Sequence, residues 1–216
     1  MKIAVIGAGI GGLTTAGLLS QTGHEVYVYE QRGNLEQDGA GLGIGSNVLK
    51  ALKQYKMAYA IEQEGQPLRK IEIRSDLDEF LNSLMMDQDE HKNITIHRKV
   101  LHEILKTHVP SDNIYLNHEV KTFKQTADDV RLYFTNGIEE QFDLVIAADG
   151  IHSKVRTQLF PKSAPKYAGY TCFRGVVNEK LNIEQDVTLE YWGHKGRFGI
   201  VPLKDNELYW FCTMNA

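Results

Sequence analysis

The hydrophobic pattern of residues 2–30 predicts a strand, a helix and a second strand in succession. The apolar run Lys2–Ile6 leads into a glycine-rich turn, as expected for a buried strand. Apolar and small residues then recur at helical spacing over about Gly11–Gln21, and Gly23 ends the periodicity. The alternating segment Glu25–Tyr29 is typical of another strand. Residues 2–30 are therefore predicted to form one βαβ unit.

A second glycine-rich stretch, Gly39–Gly45, precedes the next predicted helix. Ser46 and Asn47 can cap that helix, Val48–Tyr55, whose apolar stripe is Leu49 and Leu52. So many small residues before a helix favour a backbone that passes close to a flat ligand. A flexible connection would have the same composition, so both interpretations stay open.

Residues 68–97 alternate in places between apolar and polar positions, which predicts short strands of a second sheet. Arg98 then opens a helix whose apolar face contains Leu101, Ile104 and Leu105. Because the positive end of the helix dipole disfavours a cation in the first turn, Arg98 should have an anionic partner. That partner is either a nearby acidic side chain or a bound anion.

Residues 113–148 are predicted to form three strands, and Asn136-Gly137 marks a hairpin turn among them. The last of these strands ends in the dipeptide Asp149-Gly150.

Beyond residue 165 the chain consists of β-branched and aromatic segments separated by turns, a pattern typical of an antiparallel sheet. The aromatic residues suit the floor of an apolar substrate site, but the pattern alone favours an ordinary sheet core. The predicted fold class is α/β, with a Rossmann-like domain and a second, mostly antiparallel β-sheet domain. The four strands of that sheet are predicted at Tyr170–Val177, Val187–Trp192, Arg197–Leu203 and Leu208–Thr213.

The composition of this chain of 216 residues limits the kinds of ligand and partner that we expect it to bind. With 42% hydrophobic and 24% charged residues, it is ordinary for a soluble globular protein. A formal charge of -4 provides no electrostatic footprint for nucleic acid. The eight histidines show no metal-ligand spacing, so no metal site is expected. Cys172 and Cys212 are far apart in sequence and are interpreted as buried thiols in strands.

The apolar N-terminus resembles a secretion signal only superficially, because it holds five glycines and no cleavage region. No run of 18 apolar residues occurs, so no integral membrane segment is expected. We expect a cytoplasmic protein, and the sequence leaves its oligomeric state open.

The turn after the first strand indicates dinucleotide binding. Gly7, Gly9 and Gly12 allow a tight turn and a close approach of backbone to a pyrophosphate at the start of the helix. Glu30 ends the next strand, where its carboxylate can accept hydrogen bonds from ribose hydroxyls. An acid at that position disfavours a 2′-phosphate, which leaves FAD or NAD.

Several segments together resemble the single-component FAD monooxygenases typified by p-hydroxybenzoate and salicylate hydroxylases. The similarity covers the whole chain, and its specific element is the segment from Asp143 to Arg156 with Asp149-Gly150 at its centre. The other matching segments are Gly7–Gly12 with Glu30, Gly39–Asn47, Arg98 with its helix, Cys172–Gly175 and Gly199–Leu203.

The resemblance implies a cofactor, a domain plan and a set of binding residues. FAD would be bound by residues 1–70 and 98–165, and 71–97 with 166–216 would form the substrate domain. The ADP half of FAD would contact the glycine turn and Glu30, Arg98 would contact the ribityl or phosphate region, and Asp149 would lie near the pyrophosphate. The implied cofactor-binding residues are Gly7, Gly9, Gly12, Glu30, Arg98, Asp149 and Gly150.

The implied reaction uses NADH or NADPH and O₂ to hydroxylate an aromatic or other planar small molecule through a flavin hydroperoxide. The reactive atoms belong to the cofactor, which explains why the sequence shows no catalytic dyad or triad, and the catalytic residues stay unassigned. The family also carries a late Gly-Asp segment that is absent from these 216 residues, so we expect a truncated chain. Two alternatives stay open: another flavin- or NAD-dependent oxidoreductase, and a non-catalytic FAD-binding fragment.

Overall fold

A computed structural model describes residues 1–35, 39–86, 92–178 and 183–215. Its helices are α1 (Ile10–Ser20), α2 (Ser46–Lys53), α3 (Ala58–Glu64), α4 (Arg98–Lys106) and α5 (Lys154–Leu159). Its strands are β1 (Lys2–Ile6), β2 (Glu25–Tyr29), β3 (Gly41–Ile44), β4 (Gln66–Pro67), β5 (Lys70–Ser75), β6 (Phe80–Met85), β7 (Ile94–His97), β8 (Ile114–Tyr115), β9 (Val120–Gln125), β10 (Val130–Phe134), β11 (Glu139–Phe142), β12 (Leu144–Ala147), β13 (Tyr170–Asn178), β14 (Val187–Gly193), β15 (Gly196–Pro202) and β16 (Glu207–Asn215).

The chain folds into two compact units, each assembled from two separate stretches of sequence. The first combines Met1–Glu36 with His102–Lys166, and the second combines Gln37–Leu101 with Tyr167–Ala216. The predicted α/β class is confirmed: the first unit contains a parallel sheet, and the second contains a large mixed sheet that is mostly antiparallel.

The parallel sheet of the first unit has the order β12-β1-β2-β8. Residues 3–6 of β1 are all buried, because this strand pairs with β12 on one side and β2 on the other. The register aligns Ile6 with both Ala147 and Tyr29. The carboxyl ends of these three strands therefore meet at one edge of the sheet, which is where open α/β sheets bind ligands.

An aromatic cluster fills the core between this sheet and the antiparallel strands β9, β10 and β11 of the same unit. Tyr29 lies 4.8 Å from Phe134 and 5.7 Å from Phe142, measured between ring centroids. All three residues are buried, so the end of β2 is anchored by packing just before the chain reaches Glu30.

The turn predicted at Asn136-Gly137 is present, but residues 113–148 form five strands rather than the three predicted. The hairpin joins β10 to β11, whereas the run that enters Asp149 is a separate strand, β12, which pairs with β1 in the parallel sheet. The hairpin turn contains Gly137 at φ +86°, a backbone conformation that glycine adopts without steric cost. The turn is closed by hydrogen bonds from Gly137 N to Phe134 O at 3.2 Å and from Phe134 N to Ile138 O at 3.0 Å.

The large sheet of the second unit has the order β13-β16-β15-β14-β5-β6. All four strands predicted beyond residue 165 are present in it, with antiparallel pairing among them. The strands predicted within 68–97 divide between two sheets. Whereas β5 pairs with β14 in the large sheet, β7 pairs with β3 and β4 in a separate three-stranded sheet.

The predicted cap of the second helix is wrong in its residues. Gly45 is the N-cap of α2, and neither Ser46 nor Asn47 caps it with a side-chain hydrogen bond. Instead, Asn93 Oδ1 accepts a hydrogen bond from Ser46 N at 3.2 Å. An acceptor 47 residues away in sequence thus satisfies a first-turn amide, which local sequence rules cannot foresee.

The two cysteines lie in strands, as predicted, but they are not buried. Cys172 of β13 is exposed and Cys212 of β16 is half-buried. Cys172 pairs with Thr213, whereas Cys212 pairs with Phe173. Because directly paired residues share a face of a sheet and neighbouring residues alternate, the two thiols lie on opposite faces and cannot form a disulfide.

Glu72 is a buried carboxylate in β5 that is held by two cations of the same strand. Lys70 Nζ lies 2.5 Å and Arg74 Nε 2.7 Å from its two oxygens. These hydrogen bonds, first that from Lys70 and then that from Arg74, keep the pKa of Glu72 below its ordinary value of 4.5. The ion pairs therefore stabilise the fold above about pH 4.5, and this contribution is lost as the pH falls through the lower pKa of the folded state.

We predict that Glu72→Gln lowers the free energy of unfolding by about 1–3 kcal/mol at neutral pH, because charge-assisted hydrogen bonds to buried groups are lost. Urea unfolding at a series of pH values provides the measurement. Below pH 4.5 the curves of wild type and variant should converge. A difference that stays constant through the acid range would contradict the assigned ion pairs.

Candidate functional site

The turn between β1 and α1 is shaped by two glycines that have protein atoms directly beside them. Gly7 has φ +99°, and a Cβ there would lie 2.5 Å from the carbonyl oxygen of Ala148. A Cβ at Gly12 would overlap the carbonyl oxygen of Gly7. These glycines let α1 and the end of β12 approach the turn, so their role in the apo fold is close packing.

Gly9 differs from Gly7 and Gly12, because close packing in the described part of the chain does not require a glycine there. Its φ of -77° suits any residue, and no described atom beyond its chain neighbours lies within 4 Å of the place where its Cβ would be. It is also the N-cap of α1, which has neither a side-chain cap nor an acidic residue in its first turn. The first amides of α1 thus lie beside open space, an arrangement suited to a phosphate group.

Glu30 follows β2 at the same edge of the sheet and is only 4% exposed. Its Oε2 accepts a hydrogen bond from Ala8 N at 2.9 Å. Its Oε1 accepts from Arg32 N at 3.0 Å and from Arg32 Nε at 3.2 Å. An ionised carboxylate has about four acceptor positions, so capacity for one further donor, such as a ribose hydroxyl, remains.

Asp149 lies at the end of β12 and organises the start of α5. Its Oδ2 accepts hydrogen bonds from Lys154 N at 2.8 Å and Val155 N at 3.3 Å. The hypothetical Cβ of Gly7 would be 3.2 Å from Asp149 Cα, so this segment and the glycine turn are adjacent.

The rest of the Asp149 segment is held by its own side chains. Ser153 Oγ accepts a hydrogen bond from Arg156 N at 2.9 Å, and the Arg156 guanidinium donates to the carbonyl oxygens of Gly150 and Ile151. Gly150 has φ +76°, which favours glycine there. The serine and arginine that make this motif specific therefore have a structural role, in which they fix the loop.

Arg98 begins α4 in the second unit, as predicted, and its backbone N–H donates to the carbonyl of Ala40 at 2.7 Å. Its guanidinium forms no ion pair with any acidic side chain in the described parts of the chain. Of the two partners considered for Arg98, an acidic side chain is thus not found among the described residues, and a bound anion stays a prediction.

The glycines of residues 39–45 do not all have the same structural reason. A Cβ at Gly41 would lie 2.6 Å from the Tyr209 side chain, so this glycine makes room for a packed ring. Gly43, in contrast, has no atom within 4 Å of its Cβ position. The expectation that this backbone passes close to a flat ligand stays a prediction.

Two residues that contact the site were missed by the sequence reasoning. Arg32 donates to Glu30, and His102 places Nε2 2.7 Å from the carbonyl oxygen of Ala8. A signal for His102 was present: it follows Arg98 by four residues and shares the buried side of α4 with Leu101 and Leu105. Nothing in the local sequence indicated which backbone atom it would contact.

In the second unit, aromatic rings of the large sheet are exposed to solvent. Phe173 is 55% exposed, Trp192 44% and Phe198 39%. This differs from the sheet core that the pattern alone favoured, since these rings are not enclosed by other described residues. A cavity of about 560 Å³ in this unit is lined by residues that include Tyr191, Arg197, Phe198 and Met214.

Within the described ranges, no group of three His, Cys, Asp or Glu side chains is arranged to hold a metal ion. Among the helices that the structure describes, none has the length and hydrophobicity needed to cross a bilayer.

Two curated relatives illustrate the similarity to known proteins. The chain is 33% identical over 220 residues to the aurachin C monooxygenase/isomerase of Stigmatella aurantiaca, covering 100% of this chain and 57% of that protein. It is 28% identical over 220 residues to the 6-hydroxynicotinate 3-monooxygenase of Bordetella bronchiseptica, covering 97% and 57%. The chain therefore spans less than two thirds of the length of these relatives.

Solved structures show a similar fold. HpxO of Klebsiella pneumoniae, complexed with FAD and uric acid, superimposes with a TM-score of 0.87 at 28% identity, over 99% of this chain and 56% of that one. A variant of the same protein complexed with FAD gives a TM-score of 0.90 at 27% identity.

The family comparison covers more of the chain than any single motif does. The model of the FAD binding domain family matches residues 1–216, which includes both units. The glycine turn with its open space at Gly9, the acid at the end of β2 and the match over the full sequence lead to one conclusion: this chain belongs to the FAD binding domain family.

Proposed function

We propose that the protein is an FAD-dependent monooxygenase that uses NADH or NADPH and O₂ to hydroxylate a planar aromatic or heteroaromatic small molecule. The names of its relatives support this proposal, since they include a 6-hydroxynicotinate 3-monooxygenase and an FAD-dependent urate hydroxylase. Bound FAD would supply the electron transfer and oxygen chemistry of the reaction.

The observation that carries the proposal is the open space at the Cβ position of Gly9. No described residue packs against that position, and α1 behind it has no side-chain cap, so close packing does not account for a glycine there. A pyrophosphate in that space would accept hydrogen bonds from the first amides of α1 and would be favoured by the helix dipole. The residues present thus fit the diphosphate of FAD.

The proposed roles of the remaining binding residues follow their geometry. Glu30 would accept a hydrogen bond from the adenosine ribose through its remaining acceptor position. Arg98, which lacks a protein anion among the described residues, would bind the phosphate or ribityl region. Asp149 and Gly150 would lie near the pyrophosphate, where the Asp149 carboxylate keeps the loop and α5 in place.

The domain assignment is part of the same proposal. Residues 1–70 and 98–165 would bind FAD, and residues 71–97 with 166–216 would form the substrate domain. Residues 37–70, which the proposal assigns to FAD binding, belong to the second compact unit of the fold. The exposed aromatic rings of the large sheet would supply apolar surface for a flat substrate, as the rings of Phe173 and Phe198 illustrate, since both align with Cys212 on one face of the sheet.

The proposed function is tested on the natural protein, purified from the cells that produce it. Titration with FAD and anaerobic reduction by NADH or NADPH should be positive, and at least one compound of a panel of 6-hydroxynicotinate, urate and phenols should be hydroxylated. Oxygen consumption is followed in parallel with hydrogen peroxide release. Flavin that binds but is not reduced by either nicotinamide would support a non-catalytic module and overturn the monooxygenase proposal.

We predict that Gly9→Ala weakens FAD binding at least about tenfold, because a methyl group enters the space proposed for phosphate. Its apo stability should change by at most about 1 kcal/mol, since φ at residue 9 suits alanine. Gly12→Ala is the contrasting variant, as its methyl group would overlap Gly7 and lower the stability itself. Calorimetric FAD titration and urea unfolding separate the two effects. Wild-type FAD affinity in Gly9→Ala would remove this residue from the site.

We also predict that Arg98→Met lowers FAD affinity about tenfold or more, because a charge-assisted contact to phosphate is lost. The melting temperature of the apo form should hardly change, since methionine keeps the apolar stem and helix propensity. Lys99→Met, at the exposed next position, is the matched control. A drop in apo stability with unchanged FAD affinity would identify Arg98 as a structural residue.

A further inference from the structure

Ala8 lies inside the glycine turn, and the peptide groups on both sides of it are held by buried side chains. Its N–H donates to Glu30 Oε2 at 2.9 Å, and its carbonyl oxygen lies 2.7 Å from His102 Nε2. Glu30 is 4% exposed and His102 is 1% exposed. The turn is thus clamped from two directions by polar side chains that solvent does not reach.

The contact determines which ring nitrogen of His102 carries a hydrogen. A carbonyl oxygen can only accept, so His102 Nε2 must carry the hydrogen and donate it to Ala8. The other ring nitrogen, Nδ1, is buried and has no hydrogen-bond partner in the residues that the structure describes. The Nε2–H tautomer therefore fits the site, because a hydrogen on Nδ1 would be a buried donor without an acceptor.

The unpaired Nδ1 shows that packing alone does not explain a histidine here. A buried polar atom without a partner lowers the stability of a fold. Leucine would fill similar space without that cost, so the bond from Nε2 must be what the position requires.

The bond to the Ala8 carbonyl also fixes the direction of the Gly9 N–H, because both groups belong to one peptide unit. In a trans peptide the carbonyl and the following N–H point in opposite directions, and no cis peptide occurs among the described residues. Drawing the Ala8 carbonyl toward His102 therefore directs the Gly9 N–H away from His102. Gly9 is also the residue with open space at its Cβ position.

We propose that His102 is a positioning residue of the dinucleotide site: by holding the Ala8 carbonyl it keeps the Gly9 amide and the start of α1 oriented for a pyrophosphate. The imidazole itself does not contact the ligand. Preorganised donors bind an anion more tightly because the turn loses less freedom on binding. This inference rests on the proposed FAD binding and adds one residue to that site.

The first experiment uses the wild-type chain without ligand. Long-range ¹H–¹⁵N spectra near neutral pH should show His102 with hydrogen on Nε2 and none on Nδ1. The opposite tautomer would remove the bond to Ala8 and overturn the proposal, whatever the chain binds.

The second experiment compares four variants in titrations with FAD and with ADP, alongside urea unfolding of each apo form. His102→Gln carries an amide donor at about the position of Nε2, whereas His102→Asn is one methylene too short and His102→Leu has no donor. His118→Leu is the matched control, because His118 Nδ1 lies 2.7 Å from the Leu116 carbonyl, outside the turn. The Leu and Asn variants at 102 should bind FAD and ADP about threefold to tenfold more weakly, while the Gln variant and the control keep wild-type affinity.

The outcomes separate the two proposals. Absence of FAD binding by the wild-type chain would reject the proposed function, and the tautomer measurement would still test the clamp. Wild-type binding with equal affinity in all variants would reject His102 as a positioning residue. A loss of affinity common to the Gln and Leu variants and proportional to lost stability would show that His102 acts only through folding.

Discussion

The first unit depends on the close approach of the glycine turn to the end of β12. At Gly7 and Gly12 a side chain would collide with backbone oxygens, so only glycine lets β1, α1 and the Asp149 loop meet at one edge of the sheet. Because β1 is paired on both sides, this edge has little freedom to adjust. The turn, Glu30 and Asp149 are consequently held in one arrangement before any ligand arrives.

The charges at this edge follow from that packing. The N-terminus of α1 is electropositive and lacks a cap, while Glu30 is a buried acid that bonds both Ala8 and Arg32. A buried carboxylate is tolerated only when its oxygens accept hydrogen bonds, and here three donors satisfy most of its capacity. The same side chain therefore stabilises the turn and leaves an acceptor for a sugar hydroxyl.

The second unit is organised by strand pairing between segments that are distant in sequence. Its central contact is the parallel pair of β5 and β14, in which Lys70 aligns with Val187. This pairing joins residues 70–75 to the sheet formed beyond residue 165. Phe173 and Phe198 are exposed on one face of this sheet, and Trp192 is exposed on the other.

Much of this protein is determined by local sequence. The βαβ unit, the hairpin at Asn136-Gly137 and the strands beyond residue 165 each follow from periodicity and turn residues, because those signals act over a few neighbouring positions. The proposed site residues were identified from motifs, which state residue types but not contacts.

Tertiary structure decided everything that needs atoms from distant segments. The side chain of Asn93 accepts a hydrogen bond from the first turn of α2. Strand β7 pairs with β3 and does not join the large sheet. His102 bonds the carbonyl of Ala8, which lies 94 residues away in sequence. Such contacts depend on how whole elements pack, and no local propensity encodes them. The sequence by itself therefore determined the βαβ unit, the turn at Asn136-Gly137, the strands beyond residue 165 and the ligand class that the motifs suit. The fold decided which side chains hold the turn in place, because a hydrogen bond between distant residues exists only once the sheet and helix that carry them have packed.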